Sequence, residues 1–415
     1  MNHFEYRNDR LFAEDVPVEE IVARFGTPTY VYSSATFRRH FEAFDSAFAR
    51  LPHMVCYSVK ANSNIHILRL LAEKGAGVDI VSGGELYRAL KAGVPGGRIV
   101  FSGVAKTADE IEDALKAGIL MFNAESLDEL KAIDATAARL GKKARVALRI
   151  NPDVDPKTHP YISTGMKKNK FGLDMETALV GYEMARDMTN VEPVGIDCHI
   201  GSQLTTLEPF LEALDKVLGF YRRLKDMGIE VTYLDLGGGL GITYNEEEPP
   251  HPSAFGEALT ERLKDLPLTL ILEPGRVISG NAGILAFRTL YTKTTPVKKF
   301  LIVDAAMNDL VRPSLYGSYH RIEEVAKMGR PVEIVDIVGG ICESTDFLAR
   351  DREMPAVEPG EYLAAFSAGA YGMTMSSQYN SRRRAAEVLV DGAKVRLIRR
   401  RETYDDIIAP EMESE

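Results

Sequence analysis

Lys60 closes an apolar run, Val55-Cys56-Tyr57-Ser58-Val59, and an ammonium at the end of a buried strand has two readings. It either snorkels to solvent on its aliphatic stem, or it is a desolvated amine whose lowered pKa suits Schiff-base formation. Gly237-Gly238-Gly239 and, farther on, Gly275 leave backbone N–H groups unobstructed, which is what a phosphate needs, although tight turns use glycine too. His199 could be a general base, a metal ligand or a flat surface for a stacked ring. No second histidine or acid is spaced to form a metal pair with it, so a satisfied structural histidine ranks above ligation and no metal is expected. Glu273 stands three residues before Arg276 and is either its ion-pair partner or a carboxylate that keeps a ring nitrogen protonated. Arg312-Pro313-Ser314-Leu315-Tyr316, Cys342-Glu343-Ser344 and Ala370-Tyr371-Gly372 are polar clusters in strand-rich surroundings. Composition favours Cys342 as a buried apolar thiol.

These residues gain meaning from the elements that carry them. Between about residues 54 and 275, β-branched runs alternate with amphipathic segments such as Ile65-Leu68-Leu71-Ala72, the pattern of parallel strands joined by crossover helices. Eight strands are expected, at 55–60, 78–82, 99–102, 120–123, 144–150, 194–200, 233–236 and 268–272. Helices between them stop at Gly75, Gly93, Gly118 and Gly228. Eight βα units over roughly 220 residues make a (β/α)8 TIM-type barrel, whose active site lies at the C-terminal strand ends. Lys60, His199, the glycine run and Glu273 all fall there. Beyond about residue 282 strands follow one another at 285–292, 300–303, 332–338, 362–366, 388–390 and 395–398, the last two flanking the turn signal Asp391-Gly392. The expected architecture is therefore α/β: a barrel over 34–280 and a β-rich C-terminal domain over 281–415, to which residues 1–33 add a strand at Thr29-Tyr30-Val31-Tyr32. The acidic tail after Ile408 reads as disordered.

Composition narrows the classes. The 415 residues are 45% hydrophobic and 27% charged, as in ordinary globular proteins, and 50 Lys+Arg against 60 Asp+Glu give a net charge of −10. That field repels nucleic acid and anionic membranes. Cys56, Cys198 and Cys342 are odd in number and far apart, so no disulfide framework is read. With no leader-like N-terminus and no run near the roughly 18 apolar residues of a spanning helix, a cytoplasmic protein is expected. H-E-x-x-H, G-x-x-x-x-G-K-[ST] and G-x-S-x-G are absent.

Tyr57-Ser58-Val59-Lys60-Ala61-Asn62, Asp79-Ile80-Val81-Ser82-Gly83-Gly84-Glu85, Thr158-His159-Pro160-Tyr161-Ile162-Ser163-Thr164-Gly165 and Lys170-Phe171-Gly172 follow one another in the chain. They continue in His199-Ile200-Gly201-Ser202-Gln203, Gly237-Gly238-Gly239, Glu273-Pro274-Gly275-Arg276, Arg312-Pro313-Ser314-Leu315-Tyr316 and Cys342-Glu343-Ser344-Thr345-Asp346. In order and spacing the set resembles the fold-type III pyridoxal phosphate decarboxylases, which share the alanine racemase-like fold, and among them the branch acting on meso-2,6-diaminopimelate. The resemblance covers nearly the whole chain. It implies pyridoxal 5'-phosphate as cofactor, Lys60 as its Schiff-base lysine, His199 stacked on its ring and Glu273 at its pyridine nitrogen. Asp79 joins the cofactor residues, and Ser202, Gly239, Gly275 and the Arg276 main chain hold the phosphate with Tyr371. It further implies a homodimer in which Cys342 and Glu343 enter the other subunit's site, with Cys342 as proton donor. Arg276, Arg312, Tyr316, Glu343 and Tyr371 are then the substrate residues. Two departures are minor: Ser58-Val59 stands where small residues are common, and Gly339-Gly340-Ile341 where a Gly-Pro pair is frequent. Decarboxylases of ornithine, arginine or carboxynorspermidine are the nearest alternatives, and Glu343 with Arg312 speaks against them. A racemase of this fold would place arginine at Glu273, and a non-enzymatic relative would lack the second domain, Lys60 or Cys342.

Overall fold

A computed structural model describes residues 2–155 and 170–412. The chain forms two compact units: His40–Ile242 with Glu248–Val277, and Met1–Arg39 with Thr243–Glu247 and Ile278–Glu415.

In the first, eight parallel strands close into a barrel: His53–Ser58, Gly77–Ile80, Ile99–Phe101, Met121–Ala124, Ala144–Arg149, Val191–Asp197, Tyr233–Asp235 and Thr269–Leu272. The eighth pairs back onto the first, Leu272 opposite Val55. Cys56, Val100, Met121, Ala147, Val194 and Ile271 pack together as a buried core, so side chains fill the interior as in other small parallel barrels. Helices Gly83–Ala92, Ala108–Ala117, Leu127–Leu140 and Met175–Asp187 start where Ser82, Thr107, Ser126 and Asp174 accept backbone N–H groups of the first turn. Gly93 and Gly118 end theirs in the left-handed conformation, which costs glycine least.

Two strand ends differ from the sequence reading in a way that matters for chemistry. The first strand stops at Ser58 and a 3-10 turn, Val59–Ala61, carries Lys60. The sixth runs Val191–Asp197, leaving His199 in the following segment. Apolar content continues past both strand ends, so periodicity alone places the boundaries too late.

In the second unit the sheet order is Phe347–Pro355, Val332–Val338, Lys299–Val303, Gly283–Thr294, Thr29–Ser33, Ala386–Asp391 and Lys394–Arg399, with Tyr362–Ala365 also pairing Gly283–Thr294 and Ile322–Glu324. Thr29–Ser33 runs antiparallel to Gly283–Thr294 and parallel to Ala386–Asp391. Several features were not read from sequence, the strand Ile322–Glu324 among them. Phe4–Arg7, Arg10–Ala13 and Val16–Pro17 form a small sheet, and Phe347–Pro355 is a charge-rich edge strand. Tyr404–Met412 is a helix, where the segment after Ile408 was expected to be disordered; Thr403 and Asp406 bond each other's backbone N–H groups at its start, which fixes the first turn. Among the described residues no helix is long and apolar enough to cross a membrane. No group of three or more His, Cys, Asp and Glu among them could hold a metal ion.

Candidate active site

The C-terminal strand ends of the barrel gather buried polar groups. Asp79, fully buried in the second strand, accepts from Lys60 Nζ at 2.6 Å through Oδ2, and Ser58 Oγ lies 2.9 Å from the same oxygen. Its other oxygen, Oδ1, is buried with no hydrogen-bond partner among the described residues. The Lys60 side chain is 37% exposed, so its amine is anchored by a carboxylate yet open to reaction.

His199 receives the Gly238 N–H on Nδ1 at 3.2 Å. That bond needs a lone pair on Nδ1, so the ring is neutral and carries its proton on Nε2. Burial pushes its pKa well below the usual value, and the Arg149 and Lys60 charges add to the shift. The glycine run cannot be replaced without moving backbone. A Cβ on Gly237 would lie 2.4 Å from His199 Nδ1, one on Gly238 2.2 Å from the Glu273 carbonyl oxygen, and one on Gly239 2.7 Å from the Gly201 carbonyl oxygen.

Glu273, beyond the eighth strand, accepts from Ser102 Oγ at 3.2 Å. Burial raises its pKa well above the usual carboxylate range, and the Asp235, Asp79 and Asp197 charges push the same way. Asp235 is pushed up to about 6, again chiefly by burial. The simple Glu273–Arg276 pair allowed by sequence is not the arrangement of these bonds: the Arg276 guanidinium reaches Ser202 Oγ at 3.1 Å. Arg149, from the fifth strand, bonds Glu125 at 2.8 Å and stacks over Phe171 at 4.8 Å, while Gly172 N–H bonds Glu125 at 2.9 Å.

In the other unit the buried Arg312 guanidinium donates to His320 Nε2 at 2.8 Å and to Ser318 at 3.3 Å, and lies 4.5 Å over the Tyr244 ring. Tyr316 ends the same short helix, Arg312–Tyr316, and is half-buried. Cys342 is exposed, which corrects the compositional reading of a buried thiol. Asp346 explains the exposure: it accepts Ile341 N–H and Met307 N–H, both at 2.7 Å, and so fixes the turn that presents Cys342. Cys56 and Cys198 are the buried thiols, held protonated by burial. Glu343 accepts from Tyr379 and, at 3.1 Å, from Thr345. Tyr371 sits at φ 56°.

A lysine on a buried carboxylate, a glycine cradle and a second buried carboxyl thus stand at one end of the barrel. The family described as pyridoxal-dependent decarboxylase, pyridoxal binding domain, matches residues 34–280. Diaminopimelate decarboxylase of Haemophilus influenzae is 52% identical, over 99% of each chain. That of Aquifex aeolicus is 53% identical over 99% of this chain and 98% of its own. The chain belongs to the diaminopimelate decarboxylase family. A structure of diaminopimelate decarboxylase from Helicobacter pylori complexed with L-lysine matches with a TM-score of 0.93 at 44% identity, covering 96% of this chain and 100% of that one.

Pyridoxal phosphate is the cofactor of diaminopimelate decarboxylases as a pyridoxal-dependent family, and the residues present fit it. Lys60 offers an amine, the glycine cradle admits no side chain, Asp79 Oδ1 lacks a donor, and Glu273 is a buried carboxyl among like charges that a cationic ring nitrogen would relieve. Lys60, Asp79, His199, Ser202, Gly239, Glu273, Gly275 and Arg276 belong to the barrel unit; Arg312, Tyr316, Cys342, Glu343 and Tyr371 belong to the other. The string Thr158 to Gly165 lies outside the described residues. Sequence reasoning assigned no role to Ser102, Asn123, Asp235 or Tyr244. The first three do stand at strand ends, a usable signal; nothing in sequence marks Tyr244 as a partner of Arg312.

Proposed function

We propose that the chain decarboxylates meso-2,6-diaminopimelate at its D-centre, releasing carbon dioxide and leaving L-lysine. The observation that carries this is the full-length match to diaminopimelate decarboxylases. Bound pyridoxal phosphate supplies an electron sink for the pair left on the α-carbon when carbon dioxide departs. Lys60 attaches it covalently through its amine, with Asp79 orienting that amine. Glu273 keeps the ring nitrogen protonated and the neutral His199 ring offers a flat face. Ser202, Gly239, Gly275 and the Arg276 main chain, with Tyr371, take the phosphate. Cys342 returns a proton to the carbon that has lost the carboxylate.

At the substrate's remote end a carboxylate and an amine must both be satisfied. Arg276 and Arg312 suit the carboxylate, Glu343 the amine, and Tyr316 and Tyr371 border them. The working unit is a homodimer in which Cys342 and Glu343 complete the site of the other subunit. The cofactor domain spans 34–280, and 281–415 with a strand from 1–33 forms the second. A net charge of −10 disfavours a nucleic-acid partner, and the reading is of a cytoplasmic enzyme. The purified chain, loaded with pyridoxal phosphate and given meso-diaminopimelate, should form L-lysine and carbon dioxide in equal amounts; a D-lysine product would remove the stereochemical assignment.

A further inference from the structure

One cavity of the second unit, about 480 Å³ and so of a size to take a small molecule, is lined by three guanidinium groups, those of Arg382, Arg383 and Arg401. Among the described residues none of the three pairs with a carboxylate, and their hydrogen bonds go to neutral oxygens. Arg382 donates through Nε to Asn308 Oδ1 at 3.1 Å and through Nη2 to the Asp304 carbonyl. Arg401 donates through Nη2 alone, to the Pro28 carbonyl at 2.7 Å, Thr29 Oγ1 at 3.2 Å and the Phe25 carbonyl at 3.4 Å. Arg383 is exposed, makes no hydrogen bond among the described residues and rests 5.1 Å over the Tyr404 ring. Arg382 Nη1, Arg401 Nε and Nη1 and the Arg383 nitrogens are therefore uncommitted donors. Their sequence neighbours follow the opposite pattern: Arg399 pairs with Glu387 and Arg400 with Asp406.

The two acids in the cavity wall do not take these donors. Asp304 accepts from Thr27 Oγ1 and from the Arg288 N–H. Asp309 accepts the Ala306 N–H on Oδ2 at 3.0 Å, while its Oδ1 is buried with no hydrogen-bond partner among the described residues. Burial pushes the Asp309 pKa up to about 7, so near neutral pH it is protonated in about half of the molecules. The pKa of Arg401 is lowered by burial and by the Arg383 charge, with the Asp309 and Asp304 charges opposing. Two guanidiniums close enough to repel each other are relieved by an anion placed between them.

We propose that this cavity binds a small phosphate-bearing anion. A carboxylate satisfies one guanidinium fork, whereas a phosphoryl group brings three acceptor oxygens and about two negative charges, which suits three forks. The Asp309 carboxyl, when protonated, adds an O–H donor. The proposal is independent of the decarboxylase reading.

Calorimetric titration of sodium pyrophosphate into the full chain, saturated with pyridoxal phosphate and held near pH 7 at constant ionic strength, tests it. Wild type should show one saturable site per chain. Arg383→Ala removes a side chain that only rests on Tyr404 and should weaken binding about tenfold or more, the value of one charge-assisted contact. Arg50→Ala, an exposed arginine of the barrel unit, should leave it unchanged. Phenylglyoxal labelling read by mass spectrometry needs no variant: pyrophosphate should protect Arg383 and leave Arg50 reactive. No saturable binding, equal weakening by both substitutions, or labelling of Arg383 that pyrophosphate does not slow overturns the proposal. Citrate binding at this site where pyrophosphate does not would overturn the choice of phosphate.

Discussion

Lys60 is the residue on which the cofactor assignment turns, because its amine is 2.6 Å from Asp79 Oδ2 and still partly exposed. Borohydride reduction followed by peptide mapping should place the pyridoxyl group on Lys60 and on no other lysine. Arg312 is buried against His320 and Tyr244, so deleting it removes a buried cation. Removing one partner of a buried charge pair costs roughly 2–5 kcal/mol, so Arg312→Ala should lower kcat/KM for meso-diaminopimelate tens- to thousands-fold in steady-state assays. Asp235 makes a prediction about stability. Its folded value of about 6 lies above the ordinary 3.8, so its contribution is full below 3.8 and is lost as pH rises to about 6. Urea unfolding of the cofactor-free protein across that window should show wild type losing stability relative to Asp235→Asn. Lys60, His199 and Glu273 were legible because a polar residue closing an apolar run is conspicuous. Ser102, Asn123 and Asp235 stand at strand ends as plainly, but the hydrogen bonds that link them to one another and to Glu273 exist only once barrel closure brings the third, fourth, seventh and eighth strands together. Composition misjudged Cys342 because it cannot see the turn that Asp346 fixes.

At the level of elements, the glycine run after the seventh strand is the most constrained segment of the site. A methyl on Gly238 would meet the Glu273 carbonyl oxygen at 2.2 Å, and backbone cannot rotate away as a side chain can. Gly238→Ala should therefore destabilise the chain by about 1–3 kcal/mol in denaturant titrations and weaken pyridoxal phosphate binding in equilibrium dialysis. Every barrel strand was legible from its apolar run and the helices between them, whereas the small N-terminal sheet was not. It turns at Asn8 and Asp9, both at positive φ, between strands only four residues long. Phe347–Pro355 escaped for a different reason. Its Arg350, Asp351, Arg352 and Glu353 form the charged edge that guards a sheet against pairing with another chain, and such a strand carries little apolar signal.

For the whole molecule, the homodimer proposal has an arithmetic consequence. Mixing inactive Lys60→Ala and Cys342→Ala chains in equal amounts makes about half the dimers mixed, each with one intact site of two, so about a quarter of wild-type activity should return. No recovery after verified subunit exchange would mean that each site is built from one chain. Fold class and family were legible across the length of the chain because the strings that carry them are spread from Tyr57 to Asp346. Substrate choice is the central claim and rests on a remote end bearing both an amine and a carboxylate, which meso-diaminopimelate has and ornithine and arginine lack. Parallel carbon dioxide assays on these three compounds, with the chain saturated in pyridoxal phosphate, test it most directly. Efficient turnover of meso-diaminopimelate with little release from the other two is the predicted result; ornithine or arginine turned over as efficiently would contradict it.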